Sequence, residues 1–152
     1  MSDDRLYWED IPVGRVDRFG TYAVTREEVI AFAKAYDPQP FHLDDAAAEA
    51  SLFGRLSASG WHTGAMAMRM LVDRMKPQNV ASLGSPGIDE LKWLTPVYPG
   101  DTLRLETEVL EKRPMKSRPD VGLHKTRTRV LNQDDVEVMR FVSNVMTRRR
   151  PA

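Results

Sequence analysis

The sequence predicts an α+β protein in which an antiparallel sheet wraps around a long buried central helix. Three observations predict it. The run from about Ser59 to Met75 is apolar on nearly every side apart from Arg69, as a helix enclosed by other elements must be. The second half, from about Ile88 to Arg149, alternates apolar and polar residues with a period of two, the mark of strands with one wet face. The chain has 152 residues with no internal repeat or low-complexity segment, so residues 1–152 read as one domain with one core. Helix-rich and strand-rich halves in a chain of this size build a single sheet around its helix.

The elements follow in order. Phe19 to Val24 reads as a short strand. Thr25 then opens a helix, and Thr25 with Glu28 has the spacing of a capping box, hydroxyl and carboxylate each satisfying a free backbone donor. Val29, Ile30, Phe32, Ala33 and Tyr36 follow at helical spacing. Asp37-Pro38 ends that helix, because the residue before a proline is pushed out of the α region. A short helix runs from Asp44 to about Ser51. Small residues from Ser57 to Gly64 lead into the central helix, which stops before Pro77. Met66, Met68, Met70 and Met75 read as adaptable core filler, and Trp61 and Trp93 as packing residues. Ile88 to Leu94 is a strand that runs into Pro96, Pro99 and Gly100. Leu103, Leu105, Thr107 and Val109 face the core, while Arg104, Glu106 and Glu108 face water. His124 to Leu131 and Val136 to Thr147 are two more strands, joined by the loop Asn132-Gln133-Asp134-Asp135.

Composition narrows the function. Hydrophobic residues make up 41% and charged residues 29%, an ordinary soluble balance. Lys+Arg and Asp+Glu are equal at 22 each, which argues against a nucleic-acid partner. The one dense basic cluster, Arg148-Arg149-Arg150, reads as a solvated tail. With no cysteine there is no disulfide, thiolate metal site or cysteine nucleophile. The start, Met1-Ser2-Asp3-Asp4-Arg5, is acidic and is not a secretory signal. No apolar run approaches the roughly 20 residues that cross a bilayer. The expected setting is cytoplasmic, with no membrane partner.

The chemistry is concentrated in Tyr36-Asp37-Pro38-Gln39-Pro40-Phe41-His42. A carboxylate and an imidazole lie five residues apart with two prolines between them. The prolines fix φ twice, so the segment is a stiff loop leaving a helix end. Such a loop can hold Asp37 and His42 at a fixed separation for acid–base work on one water molecule. A partly buried Asp37 is expected to be tuned upward. Gly60, at the start of the central helix, has no side chain to keep a substrate oxygen from the helix N-terminus. Ser57 and Ser59 read as helix caps rather than nucleophiles, and the Gly-x-Ser-x-Gly elbow is missing. His62, in the first helical turn, reads as a satisfied core histidine or a substrate contact. Only three histidines occur, His42, His62 and His124, without ligand spacing, so no metal site is expected.

These residues resemble the MaoC-like dehydratases and (R)-specific enoyl-CoA hydratases. That family's signature is Asp-x-Asn-Pro-x-His, followed by a small-residue turn and the buried helix of a hotdog fold. Asp37, Pro40 and His42 match it, with Gln39 in place of the Asn. Pro96-Val97-Tyr98-Pro99-Gly100-Asp101 looks like the family's second stretch, a Pro-Val-x-x-Gly-Asp turn between strands. The resemblance runs from about Thr25 to Val145. The family's His-Gly pair at the helix start is Ser59-Gly60 here, with the histidine at His62 instead.

The resemblance implies a hydro-lyase acting on a 2-enoyl thioester, carried by CoA or an acyl carrier protein, with CoA part of the substrate and no cofactor. Asp37 and His42 would be the catalytic pair. The Gly60 N–H would meet the thioester carbonyl, with Gln39, Ser59 and His62 nearby as binding residues. A homodimer or dimer-based oligomer is expected, since one small sheet leaves a face and an edge open. Two other readings share the loop: a hotdog acyl-CoA thioesterase, and a non-catalytic acyl-thioester binding module.

Overall fold

A computed structural model describes residues 4–152; Met1, Ser2 and Asp3 of the acidic start lie outside the described residues. Strand β1 covers Val16–Ala23, helix α1 Arg26–Tyr36, helix α2 Asp45–Glu49 and helix α3 Gly60–Met75. Strands β2 (Ser82–Trp93), β3 (Thr102–Met115), β4 (Arg118–Leu131) and β5 (Glu137–Arg148) follow. The strands form one antiparallel sheet in the order β1-β3-β4-β5-β2. Among the described residues no helix is long and apolar enough to cross a membrane.

The period-two pattern sets the two faces of the sheet. Leu103 and Leu105 on β3 are fully buried and join Val130, Met139 and Phe141 in the core. On the wet face, Glu106 of β3 takes hydrogen bonds from Arg18 of β1 and Arg129 of β4. Exposed pairs of this kind contribute little each, about 0–1 kcal/mol, so the apolar face carries the fold.

Helix α3 lies on that inner face through Met66, Ala67 and Met70. Burying each methionine is worth about 1.5–3 kcal/mol. Gly20, in β1, makes the close approach possible: a Cβ there would come within 2.7 Å of Met70 Sδ, and its φ of +88° suits only glycine well. The helix is not enclosed all round, however. Trp61, Ala65, Met68 and Arg69 are exposed, because a five-stranded sheet covers only one side of it. Met68 is therefore not core filler in the single chain, while Met66 and Met70 are.

Local signals hold in part. The Thr25 hydroxyl accepts from Glu28 N at 3.2 Å, but the Glu28 carboxylate does not close a capping box. It accepts instead from the Tyr22 hydroxyl at 2.7 Å, tying α1 to β1. Asp44 caps α2 by accepting from Ala47 N. Strand β2 begins at Ser82, earlier than the alternation suggests. Gly84, Pro86 and Gly87 hide the pattern there, and the pairing with β5 slips at three places.

The arginines at 149 and 150 do not form a solvated tail. Arg149 pairs with Glu9 and lies over the Trp8 ring. Arg150 pairs with Asp10 and lies over Tyr7. Trp8 in turn covers Gly122 and donates its Nε1–H to Leu123 O. Acidic residues close in space, invisible as neighbours in the sequence, capture the cations.

Candidate active site

Asp37 is the C-cap of α1. Its N–H donates to Ala33 O at 2.9 Å, and its φ of −147° takes the chain out of the helix ahead of Pro38. The next residues turn tightly: Pro40–His42 form a single 3-10 turn in which His42 N donates to Gln39 O. The two prolines thus hold Asp37 and His42 on facing sides of one short loop. His42 Nε2 lies 3.4 Å from Asp37 Oδ2.

The His42 ring is buried, set edge-on against Phe41 and close to Phe53. Its Nδ1 lies 2.7 Å from the carbonyl oxygen of Ser57. A carbonyl can only accept, so Nδ1 carries the proton. In the neutral ring, Nε2 then presents a lone pair toward Asp37.

The Ser57 carbonyl is itself held. The next amide, Ala58 N, donates to Val97 O at 2.8 Å. Val97 belongs to the Pro-Val-x-x-Gly-Asp turn, where Asp101 accepts from Tyr98 N and Gln133 and so fixes the turn's shape. The second sequence motif thereby positions the first.

Asp37 does not behave as expected from burial alone. Burial does push its carboxyl up. Hydrogen bonds from Gln39 and the Ser59 hydroxyl, with the adjacent His42, outweigh that and hold it below the ordinary aspartate value. The Gln39 Nε2–H donates to Asp37 Oδ1 at 2.7 Å. Asp37 is therefore an ionised carboxylate at neutral pH, contrary to the upward tuning the sequence suggested.

Ser59 caps α3, accepting from Trp61 N at 3.3 Å. Ser57 caps nothing; among the described residues its buried hydroxyl has no hydrogen-bond partner. Asp37, His42, Ser59 and Gly60 all line one cleft of about 350 Å³. Phe53, Ala58, Leu94 and Pro96 supply much of its apolar wall. The opening amides of α3 have no intrahelical acceptor and carry the positive end of the helix dipole.

Two of the expected binding residues do not line this cleft. Gln39 serves Asp37 rather than the cleft. His62 faces α1, stacked on Phe32 with centroids 4.8 Å apart. Burial lowers its pKa, opposed by Glu28. Trp61 and Trp93, expected to be packing residues, are instead half-exposed on the cleft rim. The space beside Gly60 is not open either, since the Trp93 ring fills it. No sequence signal marks the Ser57 carbonyl, because any residue supplies one.

A model of the MaoC-like domain matches residues 11–131. The chain belongs to the MaoC-like dehydratase family. The crystal structure of a MaoC-like dehydratase from Rhodospirillum rubrum is 44% identical, covers 97% of this chain and 99% of its own, and superposes with a TM-score of 0.88. The unliganded R-hydratase from Pseudomonas aeruginosa is 26% identical with a TM-score of 0.75, over 95% of this chain and 86% of that one. Mesaconyl-CoA hydratase of Cereibacter sphaeroides is 36% identical over 86 residues, 56% of this chain. That match spans only 25% of the relative's length. The sheet wrapped on α3 is the hotdog fold of these MaoC-like neighbours.

Proposed function

We propose that this MaoC-like domain adds water to, or removes it from, a 2-enoyl thioester. The observation that carries the reading is the imidazole of His42, held through Nδ1–H by the Ser57 carbonyl, with Nε2 facing the Asp37 carboxylate at 3.4 Å on the cleft wall. A water bound by both groups would give one hydrogen to the carboxylate and the other to Nε2. In hydration its oxygen bonds to the β-carbon as Nε2 takes a proton. The double-bond electrons move onto the thioester oxygen, which the first-turn amides of α3, Gly60 N–H foremost, stabilise. The Nε2 proton then passes to the α-carbon as the carbonyl re-forms, and His42 is neutral again. Asp37 stays ionised throughout, orienting the water and stabilising the imidazolium. Gln39 and Ser59 keep it ionised. No cofactor is needed, and the carrier, CoA or an acyl carrier protein, arrives with the substrate.

The wall bears on the acyl group. Among the described residues lining the cleft, Asp37 and His42 are the ionisable ones, and Asp37 is anionic. A second carboxylate on the substrate would meet apolar side chains and a like charge. An uncharged acyl group is favoured, in contrast with the substrate that names mesaconyl-CoA hydratase. Crotonyl-CoA is expected to exceed mesaconyl-CoA in kcat/KM by about 10²-fold, the scale of leaving a buried charge unpaired. The assay follows loss of the conjugated thioester absorbance together with free thiol. Absorbance loss without thiol supports hydration. Thiol release would reassign the domain to the thioesterases, and equal rates on both substrates would sink the charge argument.

The same reading includes a homodimer. Trp61 and Met68 on α3 and Ile88 and Trp93 on the edge strand β2 are each exposed in the single chain, with the two tryptophan rings in contact. A second copy is the expected cover. Light scattering at micromolar concentration should give twice the 17.3 kDa chain mass or a multiple of that dimer; a monomer would count against it.

A further inference from the structure

Trp93 and Gly60 interlock at the mouth of the cleft. The Trp93 Nε1–H donates to the Gly60 carbonyl oxygen at 2.8 Å. A Cβ added to Gly60 would lie 2.6 Å from the indole, so the ring occupies the space any other side chain would need. Trp61 stands edge-on to the same ring, with centroids 5.0 Å apart and planes at 82°. Trp93 is the last residue of β2, paired with Met139 of β5, so its backbone is part of the sheet. The start of α3 is therefore tied sideways to the sheet by one hydrogen bond and one steric contact. The tie falls on Gly60, which carries the first free amide of the helix.

We propose that Trp93 is a positioning residue that holds Gly60, and with it the opening amides of α3, in line with the thioester oxygen above Asp37 and His42. The proposal rests on the hydratase reading. Stabilising an enolate depends on where the donor stands when charge develops, and a displacement of about 1 Å can cost about 10²-fold in rate. Ser59 caps the helix from its end, and Met66, Ala67 and Met70 pack it on the sheet further along. Trp93 adds the sideways contact at Gly60 itself.

The test uses the whole protein with crotonyl-CoA. Trp93→Phe keeps an aromatic ring and removes Nε1–H. Gly60→Ala suits the helical backbone but forces the indole aside. Both are expected to lower kcat by about tenfold or more with KM held within about twofold. Gly60→Ala should also shift tryptophan emission to longer wavelength while the far-ultraviolet circular dichroism stays that of the wild type. Should Gly60→Ala fail to fold, Trp93→Phe decides alone. A Trp93→Phe enzyme with wild-type kcat, whether KM is unchanged or raised, overturns the proposal and leaves Trp93 as cleft wall only. That outcome is distinct from a wild-type protein that hydrates no enoyl thioester, which removes the hydratase reading and the proposal together.

Discussion

Asp37→Asn is expected to lower kcat by about 10²-fold or more, the usual scale for a group that works on a proton in flight. The reason lies in the loop's hydrogen bonds. Gln39 Nε2–H donates to one Asp37 oxygen, so an asparagine would turn its carbonyl toward Gln39. Its amide N–H would then point at His42 Nε2, 3.4 Å away in the native pair. That donor would occupy the lone pair that has to take the water's proton. It would also remove the negative charge that stabilises the imidazolium. The backbone role of residue 37 is kept, since asparagine tolerates a helix C-cap. His42→Gln should cost as much, because it loses both the titrating nitrogen and the rigid ring seated by the Ser57 carbonyl. Initial rates on crotonyl-CoA, beside circular dichroism to show intact folding, measure both. Wild-type turnover in either folded variant would exclude the proposed mechanism.

Acid is expected to weaken the fold through His124. This residue on β4 is buried, with Nδ1 3.0 Å from Thr126 Oγ1 and Nε2 3.3 Å from Thr147 Oγ1. Burial, aided by the positive charge of Lys112 across the β3–β4 pair, lowers its pKa to about 4. Above the ordinary histidine value near 6.5 the ring is neutral whether the chain is folded or not, and stability is undiminished. Between 6.5 and 4 the unfolded chain binds a proton that the folded chain refuses, so stability falls as pH falls. Below 4 both forms are protonated and the loss is complete. A shift of this size corresponds to about 3 kcal/mol. Urea unfolding at pH 7 and pH 4.5 reads it. His124→Gln, even if less stable at pH 7, should lose distinctly less between the two pH values than the wild type. An equal loss in both would show that other groups carry the acid sensitivity. His62 shifts in the same direction for the same cause, burial, and adds to the slope that remains.

The fold was legible where one residue's environment repeats along the chain. Leu103 and Leu105 alternate with Arg104 and Glu106, and the sheet buries the first pair and wets the second. Thr25, Asp37 and Asp44 mark helix ends because the free backbone groups they serve are local. What escaped depends on partners that belong to other elements. Glu28 leaves its expected amide for Tyr22, and Arg149 finds Glu9. The site divides in the same way. Asp37 and His42 stand out because prolines restrict a short segment. The sign of the Asp37 shift does not, since the Gln39 amide in the loop, the Ser59 hydroxyl from another element and His42 act together against burial. Nor does the rim: on sequence alone Trp93 is one more aromatic in a strand, and only the fold sets it beside Gly60.

The clasp between the segment at Tyr7–Asp10 and the arginines at 149 and 150 bears on how the chain matures during synthesis. Trp8 settles on Gly122 and Leu123 and under Arg149, and none of these exists when residues 7–10 leave the ribosome. A contact that spans 140 residues closes a loop of nearly the whole chain, and its entropy cost precedes any gain. Until β4 has been made, the Trp8 indole lacks the Gly122 surface and the Leu123 carbonyl that hold it. Residues 7–10 are thus translated well before the partners that seat Trp8, and a nascent chain halted before residue 118 leaves that indole to whatever holds unfinished proteins.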